Sequence, residues 1–201
     1  MPPPAQERTL PPHRSPRPAD RATPHGLNAA APGEAEAALL TCCGSRRWAR
    51  RVAAHRPYPD LDALLAASDE AAYDLSPADL AEALACEPLD PVIPHQITPQ
   101  ATHIAARTAL RAAHAAYESR FGHTFVICLD DVPPDEALDQ LLAGIRSRLG
   151  NDPEDERAIA ADELRRLARG RLARLALLRG AGHAVTESRP PPCPDSPYVP
   201  V

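Results

Sequence analysis

The chain has 201 residues, 44% of them apolar and 24% charged, a balance ordinary for one globular domain. Its net charge of −5 lacks the basic excess that neutralising phosphates requires, so no nucleic-acid partner is expected. No apolar run is long enough to span a bilayer, and no apolar segment follows the N-terminal arginines, so a soluble, cytoplasmic chain without a membrane partner is expected.

The 25 prolines divide the chain. They crowd residues 1–24 and 189–201, which are read as disordered tails too poor in packable apolar surface to offset ordering entropy. The interior, 25–188, is read as a single helical domain. Pro32-Gly33-Glu34 opens a predicted helix through Cys43, and Ser45 caps the next, over Trp48 to His55. Asp60 caps a helix from Leu61 to Tyr73. Ser76, Pro77 and Asp79 supply a cap, an N1 proline and a first-turn acid for a helix ending near Cys86. Thr98-Pro99 starts a long helix that ends at Phe121, with Gly122 as the residue beyond it.

Pro134-Asp135-Glu136 starts a helix with Leu138, Leu141, Leu142, Ile145 and Leu149 on one face. Asp152-Pro153-Glu154 starts the last one, with Ile159, Leu164, Leu167, Leu172 and Leu175 inward and Gly180 beyond its end. Only Thr124–Leu129 has strand-like composition. Without a partner strand it is read as a short buried helix or an extended connector, and the class is all-α.

Spacing alone carries little chemistry. Cys42, Cys43, Cys86, Cys128 and Cys193 are odd in number and without C-x-x-C spacing, so they are read as free thiols buried in helices, with no metal site. The eight histidines are dispersed: His13, His25 and His183 fall near the ends, and His55, His95, His103, His114 and His123 inside. Asp130-Asp131 and the acids from Asp152 to Glu156 are read as solvated helix-start residues. Arg165, Arg166, Arg169, Arg171 and Arg174 crowd the last helix. Most are surface charge, but the helical period allows one to turn inward as a clamp for a planar anion.

An ordered series of motifs adds to this. Leu27-Asn28, Trp48, Arg56-Pro57-Tyr58, Tyr117-Glu118-Ser119-Arg120-Phe121-Gly122, Phe125-Val126-Ile127-Cys128 and Arg148-Leu149-Gly150-Asn151-Asp152-Pro153-Glu154 follow one another. In that order, over residues 27–178, the chain resembles the 2-oxo-4-hydroxy-4-carboxy-5-ureidoimidazoline (OHCU) decarboxylase family. The resemblance implies an all-helical, cofactor-free and typically homodimeric enzyme. It acts on a small-molecule substrate at the last step of urate breakdown to (S)-allantoin. Loss of carbon dioxide leaves electron density that the imidazoline ring absorbs. The protein then orients the substrate, stabilises charge and steers one proton.

The family places a His before a proline, an S-x-x-E-Q motif, the main chain of an F-V-I-C segment and an Arg of the last helix around its substrate. By the resemblance, Phe125, Val126, Ile127, Cys128 and Leu129 are the substrate-contacting segment, Arg171 the substrate-binding Arg and Pro88 the proline of the His-Pro pair. Here Glu87 occupies the His position, and Leu89 to Thr102 contains no S-x-x-E-Q. Two outcomes are open. Glu87, or a histidine such as His114, serves as substitute proton donor; or the chain is an impaired paralogue that binds a ureido or purine-like ligand, or a partner. Each candidate also has a plain structural role: Glu87 as a helix end, His114 as a core histidine, and Arg171 as partner to an acid such as Glu163.

Overall fold

The computed structural model describes the backbone of residues 24–88 and 100–181, with side chains described over 24–88 and 108–178. The tails, the helix start at Thr98-Pro99, the stretch Leu89–Pro99, Cys193, and the side chains of His13, His95, His103 and His183 lie outside the described residues. Among the described residues eight helices form and no strand does, as the capping pattern predicts for an all-α chain.

The helix starts follow local chemistry. In α3 (Arg46–Ala54) and α4 (Leu61–Tyr73) the side chains of Ser45 and Asp60 accept the amides of Trp48 and Ala63. α5 (Pro77–Ala85) has a complete capping box between Ser76 and Asp79, with Pro77 in its first turn. Two short helices precede these. α1 (His25–Ala29) is absent from the sequence expectations; it is a single turn closed by the Leu27 and Asn28 amides on the Pro24 carbonyl. α2 (Pro32–Leu40) ends before Cys43, because the Cys42 and Cys43 amides both turn back to the Leu39 carbonyl.

The second half departs further from expectation. α6 (Gln100–Phe121) ends as predicted, with Gly122 at φ +74°, a left-handed value that favours glycine. α7 (Ala137–Arg148) starts after Pro134, because the Glu136 amide bonds the Pro133 carbonyl and closes a turn first. α8 (Pro153–Ala181) runs through both Gly170 and Gly180 instead of stopping before the second. Ile159, expected inward, is exposed. The inward stripe of α8 runs through Glu156, Ala160, Leu164, Ala168 and Leu172, and Ile159 lies off it.

Helix α8 is the spine, and both α1 and α4 pack on it; α2 packs on α3, α3 on α4, and α6 on α7. One core cluster gathers Leu27, Leu39, Trp48, Val52, Leu64, Leu84, Leu164 and Leu172 from the first five helices and α8. Each such side chain contributes roughly 1.5–3 kcal/mol on burial. A second cluster joins Leu110 and Tyr117 of α6, Leu141 and Ile145 of α7, and Phe125. Residues 124–129 are an irregular connector between the two, one of the alternatives left open by the sequence. Phe125 and Ile127 pack into the second cluster and Val126 into the first, the alternation of an extended chain.

Several motifs of the resemblance prove to be structural locks. The Asn28 side chain pairs with both the amide and the carbonyl of Tyr58, each at 2.9 Å. The Tyr58 hydroxyl donates to the Val52 carbonyl, and the Trp48 indole to that of Ser68. Arg56 donates to the carbonyls of Leu27, Ala30 and Ala53. Together they fasten α1 to the α3–α4 turn.

Gly44 lets the α2–α3 turn meet the end of α5. A Cβ there would overlap Cys86 Cβ and lie 2.9 Å from its Sγ. Gly44→Ala is therefore expected to cost about 1–3 kcal/mol in urea unfolding. An unchanged midpoint would mean that the α5 end moves aside freely.

Candidate active site

The site is built where α5 stops. Its last turn is followed directly by Glu87, whose amide bonds the Leu84 carbonyl, and then by exposed Pro88. Glu87 is buried, with its side chain 6% exposed. Its two carboxylate oxygens accept from Nη1 and Nη2 of Arg171, both at 2.7 Å. Arg171 also donates to the Cys42 carbonyl at 3.2 Å. The forked pairing makes two parallel bonds, and the hydrogen bond to Glu87 raises the Arg171 pKa further above its ordinary value. Arg171 thus partners Glu87 and not Glu163.

Cys43 lies beside this pair. Burial pushes its thiol up to about 11, against the opposing hydrogen bond from the Ser45 backbone. It is a thiol at neutral pH and offers no nucleophile. Cys42 is also buried, but Cys86 is exposed and Cys128 half-buried, so the expectation of uniformly buried helical cysteines is corrected: none of the four lies inside a helix. Cys86 follows α5 and is uncovered there, and Cys128 lies on the connector.

The connector is fastened to other residues. Arg148 Nη1 donates to the Val126 carbonyl at 2.8 Å, and the Cys128 amide donates to Glu163 Oε2 at 2.7 Å. Between these two anchored groups, the amide and carbonyl of Ile127 have no hydrogen-bond partner among the described residues. That leaves one donor and one acceptor side by side, the pattern a ureido edge complements. Leu129 closes the segment by accepting the Val132 amide. Burial raises the Cys128 thiol pKa, with the neighbouring acids acting the same way.

Arg148 is itself held. Its guanidinium donates to Glu156 Oε1 from Nε at 2.9 Å and from Nη2 at 2.5 Å, and lies 4.5 Å from the Phe125 ring centre. Glu156 is fully buried and also accepts from the Tyr117 hydroxyl and from Asn151 Nδ2. The reading of Glu156 as a solvated cap is overturned; Asp152 takes that role, accepting the Glu154 amide. Asp130, likewise read as a helix-start acid, sits in a turn and pairs with Arg174 at 3.1 Å.

His114 is buried in the second cluster, its ring edge-on to Phe125 with centroids 6.0 Å apart. The structure therefore joins Glu87 to Arg171, and Phe125 to His114. Sequence reasoning missed Arg148, Glu156 and Glu163 as parts of the site. A signal existed: Arg148 continues the Leu141–Ile145 stripe of α7, and Glu156 begins the Ala160–Leu164 stripe of α8, so each is a charge at an apolar-face position. Among the described residues no group of three or more His, Cys, Asp or Glu is gathered for a metal ion, and no helix is long and apolar enough to cross a membrane.

These features define an all-helical domain in which the end of α5 meets α8 at the Glu87–Arg171 pair and an irregular connector is tied to α8 at Glu163. The profile of the OHCU decarboxylase family matches residues 28–89 and 96–173, and the chain belongs to that family. Two solved structures share the fold. One is an OHCU decarboxylase crystallised in the presence of (S)-allantoin, 22% identical with a TM-score of 0.58, covering 69% of this chain and 96% of its own. The other is an (S)-allantoin synthase, 19% identical with a TM-score of 0.55, covering 76% of this chain and 53% of its own. Among proteins of curated function, none matches the chain.

Proposed function

We propose that the chain decarboxylates 2-oxo-4-hydroxy-4-carboxy-5-ureidoimidazoline to (S)-allantoin, without a cofactor, in urate degradation. One observation carries this reading. Glu87, at the family His position, and Arg171, at the position of the substrate-binding Arg, come from distant parts of the chain and meet at 2.7 Å. Substrate takes over the Arg171 fork, and the ureido edge takes the amide and carbonyl of Ile127. The bond to the carboxylate breaks, its electron pair enters the imidazoline ring, and carbon dioxide leaves. Glu87, freed from its cation beside an anionic ligand, is the group that takes up and delivers the proton to one face of the ring. Pro88 flanks Glu87, Phe125, Val126, Cys128 and Leu129 belong to the connector that carries Ile127, and His114 packs edge-on against Phe125. A homodimer in the cytoplasm is the proposed setting.

The test generates the unstable substrate in place from urate with urate oxidase and hydroxyisourate hydrolase, and follows (S)-allantoin by circular dichroism. Chiral product is expected to appear faster with the protein, and the acceleration to vanish in Arg171→Ala. Folded protein that gives no acceleration would reject the decarboxylase reading for this substrate.

The Glu87–Arg171 pair also favours a second reading, because it holds the Arg with an internal carboxylate. In that reading the site binds a ureido or purine-like ligand, or a partner, and does not turn it over. Calorimetric binding of (S)-allantoin without acceleration would select it.

A further inference from the structure

The connector that carries Ile127 has no regular secondary structure, so something else must set its course. Its main chain is pinned at two points two residues apart: the Val126 carbonyl on Arg148 and the Cys128 amide on Glu163. The two anchors differ. Arg148 belongs to a closed buried network with Glu156 and Tyr117, which ties α6, α7 and α8 together and makes it part of the fold. Glu163 is only 15% exposed, and its other carboxylate oxygen faces Arg166, which is solvated, at 3.5 Å. Among the described residues its one hydrogen bond into the interior is with the Cys128 amide.

Glu163 and Arg171 lie eight residues apart on α8, about two turns or 12 Å along one helix. A rigid helix therefore sets both the guanidinium of the site and the point where the connector is fastened. The Ile127 amide shares its peptide plane with the Val126 carbonyl and is therefore set by Arg148, whereas the Ile127 carbonyl shares its plane with the Cys128 N–H, so the acceptor on that N–H decides which way the carbonyl points.

We infer that Glu163 is a positioning residue: by receiving the Cys128 amide it fixes the direction of the Ile127 carbonyl, from the same helix that carries Arg171. Its link to ligand recognition rests on the functional reading above. Its link to the connector does not.

The two links are tested separately with Glu163→Ala and Glu163→Gln in the full chain. By NMR hydrogen exchange, the Cys128 amide is expected to exchange at least about tenfold faster in Glu163→Ala, and to keep its protection in Glu163→Gln, which retains an acceptor oxygen. Exchange at core amides of α4 and α8 should be unchanged in both, which separates a local effect from lost folding. By calorimetry with (S)-allantoin, affinity is expected to fall about tenfold or more in Glu163→Ala and to recover in Glu163→Gln. Unchanged Cys128 exchange in Glu163→Ala would overturn the inference, and so would raised exchange with undiminished affinity. If the wild-type chain neither binds (S)-allantoin nor accelerates its formation, the functional reading falls. The exchange measurement then decides alone whether Glu163 holds the connector.

Discussion

Glu156→Ala is expected to lower the unfolding free energy by about 3–5 kcal/mol, the largest stability loss of any single change considered. The carboxylate is fully buried and receives Arg148 twice, Asn151 once and the Tyr117 hydroxyl. Removing it leaves a guanidinium 9% exposed with no opposite charge beside it, against the Phe125 ring. The remaining cost is the orphaned phenol. Urea unfolding reads the loss as a lower midpoint at constant slope. Arg148→Ala should cost a comparable amount, and the double variant much less than the two single losses combined, because the second deletion removes a charge already stranded. Additive losses would show that each residue is held by solvent or by other partners and that the pair is not a unit.

The same network has a pH signature. Burial alone would raise the Glu156 pKa, but the hydrogen bonds from Arg148, Tyr117 and Asn151 prevail and hold it below the ordinary glutamate value. A folded-state value below the unfolded one contributes stability that is fully present above the unfolded value of about 4.3 and is lost as pH falls through the folded one. Wild-type stability should therefore decline from roughly pH 5 downward, and Glu156→Gln should flatten that part of the curve. Tyr117 works in the opposite range: burial and the Glu156 bond push its phenol up, so it stays a donor across neutral pH.

How much of this was legible in the sequence depends on whether local chemistry or distant packing decides each feature. Ser45, Asp60 and the Ser76–Asp79 box could be placed because a cap needs only its own first turn. Gly180 misled, since a glycine inside a helix costs only about 1 kcal/mol against alanine and continued helix can outweigh it. Glu156 misled for a different reason. An acid in the first turn of a helix is correctly placed for the macrodipole whether it faces water or the core, and only Arg148 arriving from α7 distinguishes the two. The stripe of α8 did contain the answer, had Glu156 been counted in register with Leu164 and Leu172 instead of with its acidic neighbours.

The site itself was half legible. Glu87, Arg171 and the 125–129 segment were named from the family resemblance, and the family profile spans all of them. That Glu87 and Arg171 would pair with each other was not, because nothing in either neighbourhood specifies a partner 84 residues away. Glu163 was named only as a partner for Arg171. Its bond goes instead to a backbone amide, a contact with no side-chain pattern to announce it.

Glu87→Gln is the change with the largest expected effect on turnover. The amide keeps the shape of the carboxylate and one acceptor for Arg171, so the end of α5 should stay in place. Arg171 retains 27% side-chain exposure, which limits the stability loss to about 1–2 kcal/mol, below the range for a fully buried pair. The amide cannot carry a proton to the ring, so decarboxylation should fall by roughly 10²–10⁴-fold. The fall should lie in kcat, since Arg171 and the Ile127 main chain still bind the substrate. Binding without turnover gives a different pattern: no acceleration in either protein, and tighter calorimetric binding of a small carboxylate such as oxalate in Glu87→Gln, because its guanidinium is no longer neutralised from within. Undiminished turnover in Glu87→Gln would assign the proton to another group, and Glu87 would then be only the counter-ion that holds Arg171 in place.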